Sequence, residues 1–358
     1  MTKSNSLSQL AFQKFKKNKT GFVSLLYVFL CGLIAVFCYV IAPDNSNYAN
    51  QMHLEIHSKK PGFTVEMLTI PSKEKNNQSW MNVLLNGKQN NQTEIPIKSY
   101  SVEENILKVI QYSDGLTKEY PLTIINNQPS TYIKKKTFYF GTDKYGRDLL
   151  SRLLIGTRIS FSIGFIAVLI SLLIGIPIGA IAGYFGGKID AFIMWIINIT
   201  WSIPTLLLVI AITLALGKGF WQVFIAVGLT MWVEVARIVR GQVITTKQQQ
   251  YVEAAKALGF SDLRIIFKHI LPNIIAPIIV ISAANFAGAI LIESGLSFLG
   301  IGAQPPTPSW GSMIKNHYNY IILGKPFLAI IPGIAIMSLV MAFMLIGNAL
   351  RDALDVKS

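Results

Sequence analysis

Six long, mostly apolar stretches alternate with polar connections along this chain. They cover 21–42, 159–184, 191–216, 220–236, 274–299 and 327–350. A helix rises 1.5 Å per residue, so about 20 apolar residues cross the hydrocarbon layer of a bilayer. The pattern therefore predicts six transmembrane helices. The stretch 220–236 is the shortest and holds Glu234 near its end. It is kept because dropping it would reverse the charge pattern of the later loops. Pro177, Pro204, Pro277 and Pro332 are set to kink their helices. Gly164, Gly175, Gly179 and Gly183 fall mostly four apart in the second stretch. Small residues at that spacing let helix backbones approach closely, either for a moving bundle or for ordinary membrane packing.

The polar connections differ in kind. Residues 43–136 are rich in Asn, Lys, Ser and Gln, and alternate at 63–70 and 120–125. Alternation of period two predicts strands with one buried face, hence a small β-rich insert. A disordered loop is the competing reading, since apolar content is low and turn residues are dense. The loop 237–273 is charged but patterned. Tyr251 to Leu258 is a good helix former, Gly259 suits a left-handed helix stop, and Ser261 or Asp262 can cap a second helix over 263–270. Pro272 ends that helix. Two short helices at an angle make a projecting knob suited to a groove on a partner. A plain connecting loop is the alternative.

Composition agrees with a membrane protein. The chain of 358 residues is 52% hydrophobic and 14% charged, where soluble domains carry about 25% charged residues. Mean hydropathy is +0.47. The formal charge of +14 lies outside the apolar stretches, where Lys and Arg set topology and meet anionic headgroups, so no nucleic-acid partner is expected. Lys3, Lys14, Lys16, Lys17 and Lys19 hold the tail 1–20 in the cytoplasm. Counting spans then places 237–273 and the C-terminus there too, and 43–136 outside. The first stretch, too long for a signal peptide and without a small-residue cleavage site, reads as a retained anchor. Cys31 and Cys38, about 10 Å apart on a helix, are too distant for a disulfide.

Three segments then narrow the reading. Glu253-Ala-Ala-Lys-Ala-Leu-Gly259 with Leu271-Pro272 resembles the EAA loop of membrane subunits of binding-protein-dependent ABC importers. Gly141-Thr-Asp-Lys-Tyr-Gly-Arg-Asp148, Ser151-Arg152 and Gly156-Thr-Arg-Ile-Ser160 resemble the segment before the second span of peptide importers. Leu296-Ser-Phe-Leu-Gly-Ile-Gly302 and Pro308-Ser-Trp-Gly311 resemble the segment after the fifth. Together they are similar to the C-type permease of oligopeptide and dipeptide importers, with nickel importers as near relatives. His269 stands where the general EAA pattern has Ile, as in many peptide-type permeases. The insert is longer than the usual family linker.

The resemblance implies an all-α polytopic protein of the type I ABC importer permease type, in the bacterial inner membrane. Residues 137–358 would be the permease core, and this chain would form half of a translocation pathway for peptides. Its implied partners are a homologous second permease, two cytoplasmic ATPase subunits, an external substrate-binding protein, a peptide and the bilayer. Glu253, Ala254, Ala255, Gly259, Leu271 and Pro272 would couple to the ATPase. Gly141, Asp143, Gly146, Arg147, Asp148 and Arg158 would be structural.

No G-x-x-x-x-G-K-[ST] phosphate loop is present. ATP and Mg would therefore be held by the partner ATPases, with no catalytic residue and no cofactor on this chain. His53 and His57 flank Glu55 but lack a third ligand, so no metal site is expected. Embedded acids are functional suspects. Glu234 is placed to pair with Arg237 at i,i+3. Glu293 is read either as a partner of Arg158 or as a wall of the pathway near a peptide amine. The competing classes are an ion-gradient-driven secondary transporter or channel, and an ABC permease for nickel or another small solute. The first would want inverted repeats and several buried charges, and neither is evident.

Overall fold

The computed structural model describes residues 7–71, 78–89, 92–113, 115–125, 129–217 and 219–354, with side chains from residue 12. Lys3 lies outside them. In chain order the elements begin with helices α1 (Leu7–Lys17) and α2 (Lys19–Ile41). Next come β1 (Phe63–Ile70), α3 (Trp80–Asn86), β2 (Thr93–Glu103), β3 (Ile106–Gln111), β4 (Thr117–Pro121), α4 (Pro129–Tyr132) and β5 (Ile133–Phe138). The membrane helices follow as α5 (Leu149–Phe185), α6 (Gly187–Ser202), α7 (Thr205–Leu216) and α8 (Phe220–Lys247). The rest is α9 (Gln250–Ala257), α10 (Asp262–Ile265), α11 (Ile275–Leu299), α12 (Trp310–His317) and α13 (Phe327–Leu354).

Five of the helices are long and apolar enough to cross a membrane, or six if α6 and α7 count as one span. That pair is bent by 90°. The break falls at Ile203 and Pro204, where Pro removes an amide donor and holds the preceding residue extended, and Ile203 has ψ 128°. Two expected boundaries change. α5 starts ten residues before the apolar stretch and runs for 37 residues, about 55 Å at 1.5 Å each, longer than the hydrocarbon layer. α8 extends to Lys247, so Glu234 sits in mid-helix and not near its end.

The chain divides into two compact units. In the first (1–32, 160–304, 334–358), glycines of α5 lie against α8. Gly175 faces Val235, Gly179 the Ala236 carbonyl and Gly183 the Arg240 carbonyl. A Cβ at any of these would meet backbone or a β-branched side chain, so the stripe sets how closely the two helices pack. Gly164 takes the Phe286 ring of α11 in the same way.

The second unit (33–159, 305–333) holds a five-stranded antiparallel sheet in the order β4-β3-β2-β1-β5. β1 is the predicted strand 63–70, paired Leu68 to Ile95 on one side and Met67 to Lys134 on the other. Period two sends its side chains to two cores. Leu68 joins Ile97, Leu107, Val109 and Ile133, whereas Val65 and Met67 join Ile56 and Phe138. The predicted strand 120–125 is a correction. Only Tyr120 and Pro121 pair, and Leu122–Ile125 forms a 3-10 turn that drops Leu122 and Ile125 into the first core. Cys31 and Cys38 are free thiols.

Candidate functional site

Three places gather the residues singled out by sequence, and each lies within one unit. The first is the knob between α8 and α11. α9 ends where predicted. Gly259 sits at φ 74°, its N–H donates to the Lys256 carbonyl at 2.9 Å, and the Phe260 N–H donates to the Ala255 carbonyl at 3.2 Å. That double closure is a Schellman stop, which glycine adopts without Cβ strain. The second helix differs from expectation. α10 has four residues and continues as a π turn over Ile266–Ile270, then a 3-10 turn over Leu271–Ile274 with Pro272 as its second residue. Neither Ser261 nor Asp262 caps it by side chain. The Asp262 carboxylate instead accepts from the Tyr184 hydroxyl of α5 at 2.6 Å.

Val252, Ala255, Ile265, Ile266 and Ile270 of the knob pack on Val239 and Val243 of α8 and Tyr184 of α5. Glu253 and Ala254 face outward, Leu271 is half-buried and Pro272 is exposed. Ala255, read with them as a contact residue, is buried at 4% exposure, so it serves the knob's own packing. Sequence reasoning missed what lies beside Glu253. Leu258, Leu263 and Phe267 are 73%, 66% and 64% exposed, interleaved with Lys256, Arg264 and Lys268. Arg264 covers the Phe260 ring at 4.1 Å and His269 stacks on that ring. The i,i+4 spacing of Leu263 and Phe267, off the isoleucine face, was the available signal. Large apolar side chains grouped on a charged loop mark an interaction surface.

The second place is the turn before α5. Asp143 is fully buried and Arg147 is 5% exposed. Arg147 Nε donates to Asp143 Oδ2 at 2.7 Å, and a terminal nitrogen lies 2.7 Å from the same oxygen. Arg147 also donates to Asn50 Oδ1 at 2.9 Å. Asp143 Oδ1 accepts from the Tyr145 and Arg147 amides. Asp148 accepts from the amide and hydroxyl of Ser151 at the start of α5, and burial raises its pKa against those bonds. Gly141 (φ 79°) and Gly146 (φ 74°) lie against the carbonyls of Lys59 and His53, where a Cβ would overlap. These charges thus form a closed internal latch and do not face solvent. Arg158 donates to the carbonyls of Leu84 and Leu85 at 3.1 and 2.9 Å, placing a cation on the last turn of α3.

His317 belongs to the same unit. Its Nδ1 lies 2.7 Å from the Met313 carbonyl, and its Nε2 accepts from the Lys144 amide at 3.4 Å, which requires the neutral ring. Burial lowers its pKa, and Lys144 and Arg147 add to that against Asp143. Burial lowers His53 likewise, aided by Lys136 and opposed mainly by Glu94. An imidazole depressed in the fold takes its proton first in the unfolded chain. Its contribution is present above the free value of about 6.5 and is lost as pH falls below it. Acidification from pH 7 to 5 is therefore expected to lower the hydrogen-exchange protection factors, with the intrinsic pH dependence of exchange divided out, in 139–148 and 310–317 of the purified protein, and His317→Asn, which does not titrate, to flatten that dependence. Equal pH dependence in both proteins would refute the role of His317.

The third place is a cavity of about 390 Å³ in the first unit, beside the α6–α7 break, lined among others by Trp201, Thr230, Glu234, Asn285 and Leu291. The expected Glu234–Arg237 pair is a correction. Among the described residues no ion pair joins them. Arg237 instead lies 3.5 Å from the Trp201 ring centroid and donates to Asn198 at 3.2 Å, because α6 offers it an aromatic face and an amide oxygen. Glu293 is fully buried on α11 and accepts from Ser297 at 2.6 Å. No cluster of three metal-ligating side chains occurs among the described residues.

Comparison with known proteins adds the family. Residues 175–357 match the family described as binding-protein-dependent transport system inner membrane component, and residues 6–61 match the N-terminal TM domain of oligopeptide transport permease C. The dipeptide transport system permease protein DppC of Alkalihalophilus pseudofirmus is 43% identical over 219 residues, 61% of this chain and 72% of that one. The glutathione transport system permease protein GsiD of Pectobacterium atrosepticum is 40% identical over 233 residues, 65% and 75% of the two chains. Among solved structures, the inward-facing MetNI methionine ABC transporter aligns at TM-score 0.46 and 18% identity over 57% of this chain and 97% of that one. With a family match across half of its length and relatives of this identity, the chain belongs to the binding-protein-dependent transport inner membrane components, the multi-pass permease subunits of ABC importers.

Proposed function

We propose that this permease imports peptides and is driven through the knob by a cytoplasmic ATPase. The observation that carries the coupling half is the knob itself. Its inner face is locked to α5 and α8 by packed isoleucines and valines, while Glu253, Leu258, Leu263 and Phe267 stand exposed on its outer face. A body fastened in this way transmits a rigid-body push to two membrane helices. The substrate half draws on the relatives, which are named for dipeptides and glutathione.

In this reading α6 and α7 together make one broken span. The total is then even, and both termini and the knob face the cytoplasm. The sheet of β1–β5 stands outside, where it can meet a substrate-binding protein. A homologous second permease supplies the other half of the pathway, and two ATPase subunits hold ATP and Mg.

A mild-detergent pull-down of the tagged chain from its native membrane tests the assembly. Mass spectrometry is expected to find an ATPase with a phosphate loop and a second permease. Recovery of the chain alone, still transporting under an ion gradient without ATP, would overturn the reading. Uptake of nickel chelates but of no di- or oligopeptide would overturn the substrate class alone.

A further inference from the structure

The cavity beside the α6–α7 break contains polar groups that the fold leaves unused. Glu234, in the middle of α8, is the one ionisable side chain among the described residues that line it. It is exposed, and no hydrogen bond or ion pair with a described residue engages it. The nearest candidate cation, Arg237 one turn on, is committed to Trp201 and Asn198. Across the cavity on α11, Asn285 is 2% exposed and its Nδ2 has no partner among the described residues. Two other polar groups here are satisfied within their own helices. Thr230 donates to the Val227 carbonyl at 2.8 Å and Thr200 to that of Ile196 at 3.0 Å.

A carboxylate within a membrane-spanning helix is unfavourable without a counter-ion, and so is a buried donor left without an acceptor. Both costs are removed by one ligand that brings a cation next to a hydrogen-bond acceptor. The N-terminal residue of a peptide is such a group, an ammonium two bonds from a carbonyl carbon. Much of the remaining wall, Met231, Leu291 and Ile292 included, is apolar and fits a first side chain. The volume falls within the usual range for small-ligand sites, about 300–1,000 Å³.

We propose that Glu234 and Asn285 form a subsite on the translocation pathway for the free N-terminus of a peptide. The Glu234 carboxylate takes the ammonium, and Asn285 Nδ2, closed off from the cavity in this conformation, donates to the first carbonyl oxygen once its side chain turns toward the ligand. The proposal rests on the peptide-import reading and names the residues that would act on the substrate.

The test uses the complete importer with its binding protein in proteoliposomes, and alanyl-alanine as the probe. Glu234→Gln keeps the shape and removes the charge. It is expected to lower uptake about tenfold, the loss of roughly one charge-assisted hydrogen bond. Glu234→Asp is expected to keep most of the uptake, and Asn285→Ala to lose several-fold. Recovery of each variant in the assembled complex at the wild-type level controls for folding. Wild-type uptake by Glu234→Gln, or equal loss in Glu234→Gln and Glu234→Asp, would overturn the subsite while leaving peptide import intact. Failure of the wild-type complex to move any peptide would overturn both.

Discussion

Glu253→Arg and Gly259→Pro are each expected to abolish substrate-stimulated ATP hydrolysis by the importer while the chain still reaches the membrane. The two act by different routes. Glu253 lies in the first turn of α9, exposed, with no ion pair among the described residues, so reversing its charge removes no described contact within the chain. The loss must then arise at the surface that receives the knob. Charge reversal at a desolvated contact costs several kcal/mol, enough to empty a docking site of ordinary affinity.

Gly259→Pro acts inside the knob. Gly259 holds φ 74° and its N–H closes α9 on Lys256, whereas proline fixes φ near −65° and has no N–H to give. The stop is lost, and with it the turn that sets α10 against α9. Gly259→Ala has open space around its Cβ and bears only the left-handed strain, about 1 kcal/mol, so it is expected to retain most stimulation. ATP hydrolysis by the purified complex, with binding protein and peptide added, reads all three. Full stimulation in either of the first two variants would remove the knob from the coupling path.

Local rules and tertiary partners divide what could be read in advance. The helix stop at Gly259 was legible because it depends on one residue's φ and on its immediate neighbours. The strand 63–70 was legible because its alternation matches two cores, one on each face. The second knob helix was not legible. Of its two expected caps, Ser261 stands at the N-cap without a side-chain bond, and Asp262 is held by Tyr184, 78 residues earlier, a bond that nothing in the local pattern announces. The pair Glu234–Arg237 failed in the same way. Their spacing permits contact, but Trp201 and Asn198 of another helix hold the arginine, and so leave the acid to the cavity. The charges Asp143 and Arg147 were visible at i,i+4, but their burial was not, since the backbone that covers them comes from residues 50–60 of the insert. The bend at Pro204 was expected as a kink, but a 90° turn takes a full break in the helix.

Arg147→Ala is expected to destabilise the second unit by about 3–5 kcal/mol, the usual cost of removing one partner from a buried ion pair. The deleted guanidinium bonds Asp143 Oδ2 and Asn50 Oδ1. Asp143 would keep its two backbone donors, with Arg152 Nε 3.8 Å away as the remaining cation. A fully buried carboxylate balanced at that distance is poorly compensated. Because the chain is two units in a membrane, a single unfolding free energy is not well defined, and the effect is best read locally. Hydrogen exchange across 48–58 and 139–152 should rise by about two orders of magnitude or more, and protease should cut there first. Arg147→Lys should recover only part of the loss, since one ammonium cannot reach both Asp143 and Asn50 in the guanidinium's fork geometry. The double variant Asp143→Asn with Arg147→Met should lie nearer the wild type than Arg147→Ala alone, because it removes the stranded charge along with its partner. If the double variant exchanged as fast as the single one, the latch would owe its strength to the shape of the turn around Gly141 and Gly146 and not to the pair. If Arg147→Ala exchanged like the wild type, the buried pair would hold nothing.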